Sequence, residues 1–154
     1  MDMPVPGVPH RRLGKLVGYW VGEETLHPSP WDPTGGPAEG RVRNRAALEG
    51  FVVVQDYEQV RNGGVSYRAH GVFSWDDAHQ QYLLHWFDTM GMPPRVFQGR
   101  FENEVLALAS ESPQGHARAT WDFREPGRYS YHMEVSGDGR QWVPFMDGRY
   151  TKRE

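Results

Sequence analysis

Seven histidines stand in a chain that has no cysteine. His27, His70, His85, His116 and His132 fall on segments that could converge, and convergent imidazoles are the usual raw material of a zinc or copper site. Yet no His-x-His or His-x-x-x-His spacing occurs and each of these histidines belongs to a different segment, so neither a dedicated metal site nor a bound cofactor is expected. The lack of cysteine removes thiolate ligands, thiol catalysis and disulfides together. Serine-hydrolase elbows, phosphate-cradling glycine loops, His-Glu-x-x-His and dinucleotide fingerprints are absent as well. No motif fixes a reaction, and whether the protein is an enzyme is left open.

Polar chemistry is instead offered by scattered side chains. Glu24 lies four residues after Trp20 and shares its face if the strand is regular that far, and a buried carboxylate needs a partner such as Arg43, Arg45 or Arg118. Asp88 closes a strand beside Thr89-Met90-Gly91-Met92, at a rim where it caps the turn or serves as a general base. His116 and Arg118 share one face of a later strand, opposite Ala117, Ala119, Trp121 and Phe123. Should that face be the inner one, they form an anion-binding pair; otherwise they are solvated. The inward face at His70 and His85 is equally undecided by parity.

The elements that must position these groups are strands. Leu13, Leu16 and Val17 recur at helical spacing after a Pro-rich start, giving one short helix that Gly18 stops. Thereafter a two-residue period returns between turn residues, with about ten strands expected. Asn62-Gly63-Gly64, Glu102-Asn103, Ser112-Pro113-Gln114-Gly115, Glu125-Pro126-Gly127 and Ser136-Gly137-Asp138-Gly139 are the clearest turns. The long loop from Leu26 to Pro37 is too rich in proline for a central strand. A meander of this kind removes its exposed edges by closing, so an all-β, antiparallel up-and-down β-barrel is expected, with a sandwich as the other solution. Residues 1–9 are expected to form a mobile segment and residues 10–154 the barrel domain.

Composition agrees with one core. The chain has 154 residues, 13% of them aromatic, with 6 Trp, 7 Tyr and 7 Phe, a supply suited to strands and ligand-lined cavities. The net charge of −3 is not segregated and no basic stripe exists, so nucleic acid is not an expected partner. No stretch approaches the ~18 apolar residues of a membrane span, and no signal-peptide core is seen, which points to a cytoplasmic protein.

Gly18-Tyr19-Trp20-Val21-Gly22 resembles the Gly-x-Trp-x-Gly opening of lipocalin, fatty-acid-binding and nitrobindin barrels. Together with His27-Pro28-Ser29-Pro30-Trp31, Gly50 to Glu58, Trp86 to Pro93 and Gly115 to Arg118, the chain resembles, end to end, the bacterial family of domain of unknown function 1579. That resemblance implies a calycin-type barrel and brings no catalytic residues. Fatty-acid-binding proteins hold a carboxylate with an Arg-x-Tyr pair, whereas here Arg149 and Tyr150 are adjacent and point oppositely. Nitrobindins bind haem through a His near the C-terminus, which the last strand lacks, His132 being on the strand before, so a haem-binding barrel stays an alternative that is not favoured.

The leading expectation is a cavity for a small, apolar or amphipathic molecule, lined by Trp20, Tyr57, Trp86, Trp121 and Met146. Its mouth would be formed by the His27 to Trp31 loop and the loop of Asp88, Met90 and Met92. Glu24, His27, Gln55, Asp88, His116 and Arg118 would orient the ligand. The rival is an isomerase, cyclase or hydrolase using a His or carboxylate base in the same cavity, and a homodimer is compatible with either.

Overall fold

The computed structural model describes residues 2–30 and 32–153. Ten strands follow a short helical N-terminal segment: β1 (Gly18–Leu26), β2 (Gly36–Ala47), β3 (Val52–Arg61), β4 (Gly64–Asp76), β5 (Gln81–Asp88), β6 (Arg95–Glu102), β7 (Val105–Ser112), β8 (Gly115–Asp122), β9 (Arg128–Ser136) and β10 (Val143–Arg153). Each pairs antiparallel with its neighbours in sequence, and β10 returns to β1, so the sheet is a closed ten-strand barrel and not a sandwich. The seam runs from Tyr19 opposite Arg153 to Leu26 opposite Met146.

Closure follows from alternation. Trp20, Gly22 and Glu24 on β1, Val42 and Asn44 on β2, and Val53, Gln55, Tyr57 and Gln59 on β3 are buried, while residues between them are more exposed. The same period sends Phe73, Leu84, Phe97, Leu108, Ala119, Tyr129 and Tyr150 inward from the remaining strands. These rings meet edge to face or stacked: Trp20 with Tyr129 at 4.8 Å between centroids, Tyr129 with Tyr150 at 4.7 Å, and Trp121 with Tyr131 at 5.1 Å. Each such pair adds about 0.5–1.5 kcal/mol beyond its burial.

One end of the barrel is stoppered. Helix α1 (Val8–Arg12) continues into a 3₁₀ turn, Leu13–Leu16, whose two leucines are fully buried. The Leu16 carbonyl accepts hydrogen bonds from Trp20 Nε1 at 2.9 Å and from Asn44 Nδ2 at 2.8 Å, while Tyr82 donates to the Pro9 carbonyl at 2.7 Å. Arg12 and Lys15 tie the same segment to Asn103 and Glu104 in the β6–β7 turn. The loops after β1 and β5 lie at the other end. There the ladder between β6 and β7 stops at Gln98 opposite Ala109, so Arg95, Val96 and Phe97 have β5 alone beside them and the wall splays.

Candidate functional site

Inside the barrel, Glu24 is the centre of the polar chemistry. It is 3% exposed, and its carboxylate accepts hydrogen bonds from the Tyr57 hydroxyl at 2.7 and 2.8 Å, from Gln59 Nε2 at 3.1 Å, and from the Tyr150 hydroxyl. Gln59 also reaches Met146 Sδ at 3.5 Å. Room for this cluster is made by glycine: a side chain at Gly40 would collide with the Glu24 carboxylate and the Tyr150 ring. Burial pushes the Glu24 carboxyl above its ordinary range, against the hydrogen bonds from Tyr150, Tyr57 and Gln59 that favour the anion. Burial, and then the charge of Glu24, hold Tyr57 and Tyr150 well above the usual phenol range, so both remain donors. The expected arginine partners are absent from this cluster: Arg43 lies over the Tyr19 ring at 4.4 Å and Arg118 bonds Glu134. Two phenols and an amide satisfy the carboxylate without an ion pair.

A second polar group lies nearer the open end. Tyr67 donates to Asp88 Oδ2 at 2.6 Å, and Trp86 Nε1 reaches the Tyr67 hydroxyl at 3.1 Å and Asp88 at 3.3 Å. Asp88 Oδ1 accepts the Met90 amide at 3.0 Å, so this aspartate also caps its turn. Trp86 and Tyr67 both touch Tyr57, at 6.4 and 5.9 Å between centroids, linking this group to Glu24. Directly across from Trp86 on β6 is Arg95, in the inward row with Phe97 and Phe101.

Several expected site residues are elsewhere. Ala117, Ala119 and Trp121 occupy the inner face of β8, so His116 and Arg118 are on the outer wall and form no interior anion pair. Arg118 bonds Glu134 at 2.8 Å and lies over the Trp142 ring at 4.0 Å. His27 Nε2 contacts Asp147 Oδ2 at 2.6 Å, and His132 Nδ1 contacts the other oxygen, also at 2.6 Å, an outer-wall tie between the β1–β2 loop, β9 and β10. The Asp147 bond raises the His132 pKa. His70 pairs with Asp56 outside, and His85 alternates with the inward Leu84 and Trp86, so the described inner rows carry no histidine. Hence the expected polar set of Glu24, His27, Gln55, Asp88, His116 and Arg118 does not assemble: only Glu24, Gln55 and Asp88 face inward. Trp20, Tyr57, Trp86, Trp121 and Met146 do line the interior. Met90 and Met92 are exposed in the β5–β6 loop, and Trp31 lies outside the described residues. Gln59, Tyr67, Arg95 and Tyr150 were missed, although parity with Tyr57, Phe73, Phe97 and Met146 marks each as inward.

A hollow of about 470 Å³ is on the outer wall of β2–β5 among Arg41, Arg43, Asp56, Glu58, Arg68 and His70. Its charges already answer one another, Arg68 with Glu58 at 3.2 Å and His70 with Asp56 at 2.8 Å. A smaller hollow, about 230 Å³, lies outside β6–β9 beside Arg118 and His132. Two buried side-chain atoms among the described residues have no hydrogen-bond partner, Asn44 Oδ1 and Arg95 Nε, and both belong to inward rows of the barrel.

A closed ten-strand meander with one stoppered end defines a lipocalin-like barrel. Residues 5–152 match the family described as protein of unknown function (DUF1579), and the chain belongs to that family. Among solved structures it is similar to the crystal structure of Rv2717c from M. tuberculosis, with a TM-score of 0.73 and 12% identity over 96% of this chain and 99% of that one. It is also similar to the S-type phycobiliprotein lyase CPES from Guillardia theta, with a TM-score of 0.62 and 9% identity over 97% and 99%. At these identities the likeness is one of fold. No curated protein matches the chain. No helix is long and apolar enough to cross a membrane among the described residues.

Proposed function

We propose that the protein binds one small amphipathic molecule at the open end of its barrel. The observation that carries this reading is a patch of inward side chains left half-buried toward the open end, Tyr67, Trp86, Met133 and Val135, beside the Tyr67–Trp86–Asp88 polar group. Aromatic and thioether surface left half-covered beside hydroxyl, indole and carboxylate groups matches the lining of a small-molecule site. The inner rows are filled by rings in contact, so a ligand enters by displacing Met133 and the mouth rings. The barrel shared with a phycobiliprotein lyase supports a barrel-centred role at the level of fold. The rival reading, a histidine-carboxylate base in the cavity, has its pairs on the outer wall.

Titration with dodecan-1-ol, followed by tryptophan fluorescence and native mass spectrometry, tests this. The expected result is one ligand per chain, with Trp86→Ala weakening binding about tenfold, as loss of a buried aromatic contact should, and Phe87→Ala, on the outer wall, leaving it unchanged. Equal losses in the two variants, or no saturable one-to-one complex, would refute the interior site.

A further inference from the structure

We propose that Arg95 is an anion anchor at the mouth, holding the carboxylate head of a single-chain amphiphile whose apolar part lies among the rings of Tyr67 and Trp86. This rests on the barrel-binding reading and adds the ligand's head group to it.

The first argument is position. Arg95 opens β6, shares the inward row with the buried Phe97 and Phe101, and stands opposite Trp86. It lies where the β6–β7 ladder has ended, at the splayed part of the wall. A guanidinium is normally turned out to solvent on such a strand; this one points into the barrel, half-buried.

The second argument is unmet bonding. Arg95 Nε is buried and has no hydrogen-bond partner, and none of the ion pairs among the described residues includes this arginine. Its guanidinium carbon lies 5.6 Å from the centroid of the Phe97 ring. The nearest inward acid in the register, Asp88, is already engaged by Tyr67, Trp86 and the Met90 amide. Glu24 sits on β1, five places from β6 in either direction around the ring, and is occupied by Tyr57, Gln59 and Tyr150. Several other arginines find a carboxylate: Arg61 bonds Asp32, Arg118 bonds Glu134 and Arg124 bonds Asp122. A buried donor without a partner is costly, and a planar carboxylate, which accepts two parallel N–H bonds from the guanidinium fork, removes that cost when it binds.

The third argument is reach. From Arg95 the interior continues through Trp86 to Tyr57, whose rings touch, so an apolar tail has a continuous aromatic strip to lie on while its head stays at the mouth. The outer-wall hollow among Arg41, Arg43 and Arg68 is the competing anion site, but its cations face Glu39, Asp56 and Glu58.

The test compares dodecanoate with dodecan-1-ol, both below their aggregation limits, by isothermal titration calorimetry at neutral pH on the full chain. The wild type is expected to bind the acid about tenfold more tightly or better, the worth of a charged hydrogen bond. Arg95→Met should erase that preference with the alcohol's affinity retained, while Arg118→Met on the outer wall should keep it. In case Arg95→Met does not fold, the Arg95 Nε–H resonance of the ¹⁵N-labelled wild type provides a second reading: dodecanoate should shift it downfield and the alcohol should not. Equal affinities for acid and alcohol, an unmoved Nε–H signal, or a preference that survives Arg95→Met would overturn the anchor and leave the barrel site standing. Failure of both ligands to bind would overturn the barrel reading and the anchor with it.

Discussion

At the scale of residues, the barrel contains one acid that behaves unlike its exposed counterparts. Glu24 is raised by burial, so its folded pKa exceeds its unfolded value. The sign follows from proton linkage: the folded state holds the extra proton in the window above the ordinary carboxyl range, and stability falls as pH rises through the folded pKa. Glu24→Gln keeps an acceptor for Tyr57 and Tyr150 and cannot ionise. Its melting temperature relative to wild type should therefore rise with pH above the ordinary carboxyl range and level off once the folded-state pKa of Glu24 is passed, and a pH-independent difference in a thermal-denaturation series would contradict the account. That Glu24 is inward was readable from its spacing to Trp20, because strand parity is a local property. Its partners were not readable as arginines, since Arg43 and Arg45 alternate with the inward Val42 and Asn44 and so face out. His116 and Arg118 illustrate the opposite limit. Both rows of β8 were admissible in a sequence, and only the packing of Ala117, Ala119 and Trp121 against the core chose between them.

At the scale of elements, the strands were legible almost throughout, because Gly, Asn and Pro turns punctuate a clean two-residue period and no helix-period segment competes after Gly18. The N-terminal segment was less so. Spacing of Leu13, Leu16 and Val17 gives a short helix, but α1 begins at Val8, within the segment expected to be free, and its continuation is a tighter 3₁₀ turn. What spacing could not convey is that this piece is a stopper, held by the Leu16 carbonyl to Trp20 and Asn44. Both leucines are 0% exposed. Leu16→Ala should cost about 2–5 kcal/mol, the range for truncating a buried leucine, measurable by urea denaturation; a loss under about 1 kcal/mol would mean that the stopper is dispensable to the core.

At the scale of the whole molecule, pairing of β1 with β10 ties positions more than a hundred residues apart, such as Trp20 and Lys152. Such non-local closure slows folding relative to helical proteins, and it leaves unpaired edge only in short stretches, among them the one where β6 and β7 part beyond Gln98 and Ala109. Native-state hydrogen exchange should show this as a contrast: amides of the β1–β10 seam exchanging as slowly as those of β3–β4, and amides within 95–97 exchanging markedly faster. Uniform protection along β6 would argue against the splayed wall. The family and the barrel were both visible in the sequence; the ligand was not, because a meander repeats the same alternation whatever it encloses.

The stopper has a consequence for timing. On the binding role proposed above, a tube with one door would admit and discharge its ligand along a single path, so arrival and departure would cross the same barrier. The loop bearing Met90 and Met92 stands at that door and, by its exposure, makes little contact with the deeper interior. Lengthening or stiffening it would then speed or slow loading and unloading together, altering how quickly the barrel equilibrates with its surroundings while the fraction filled at equilibrium stays where the interior sets it.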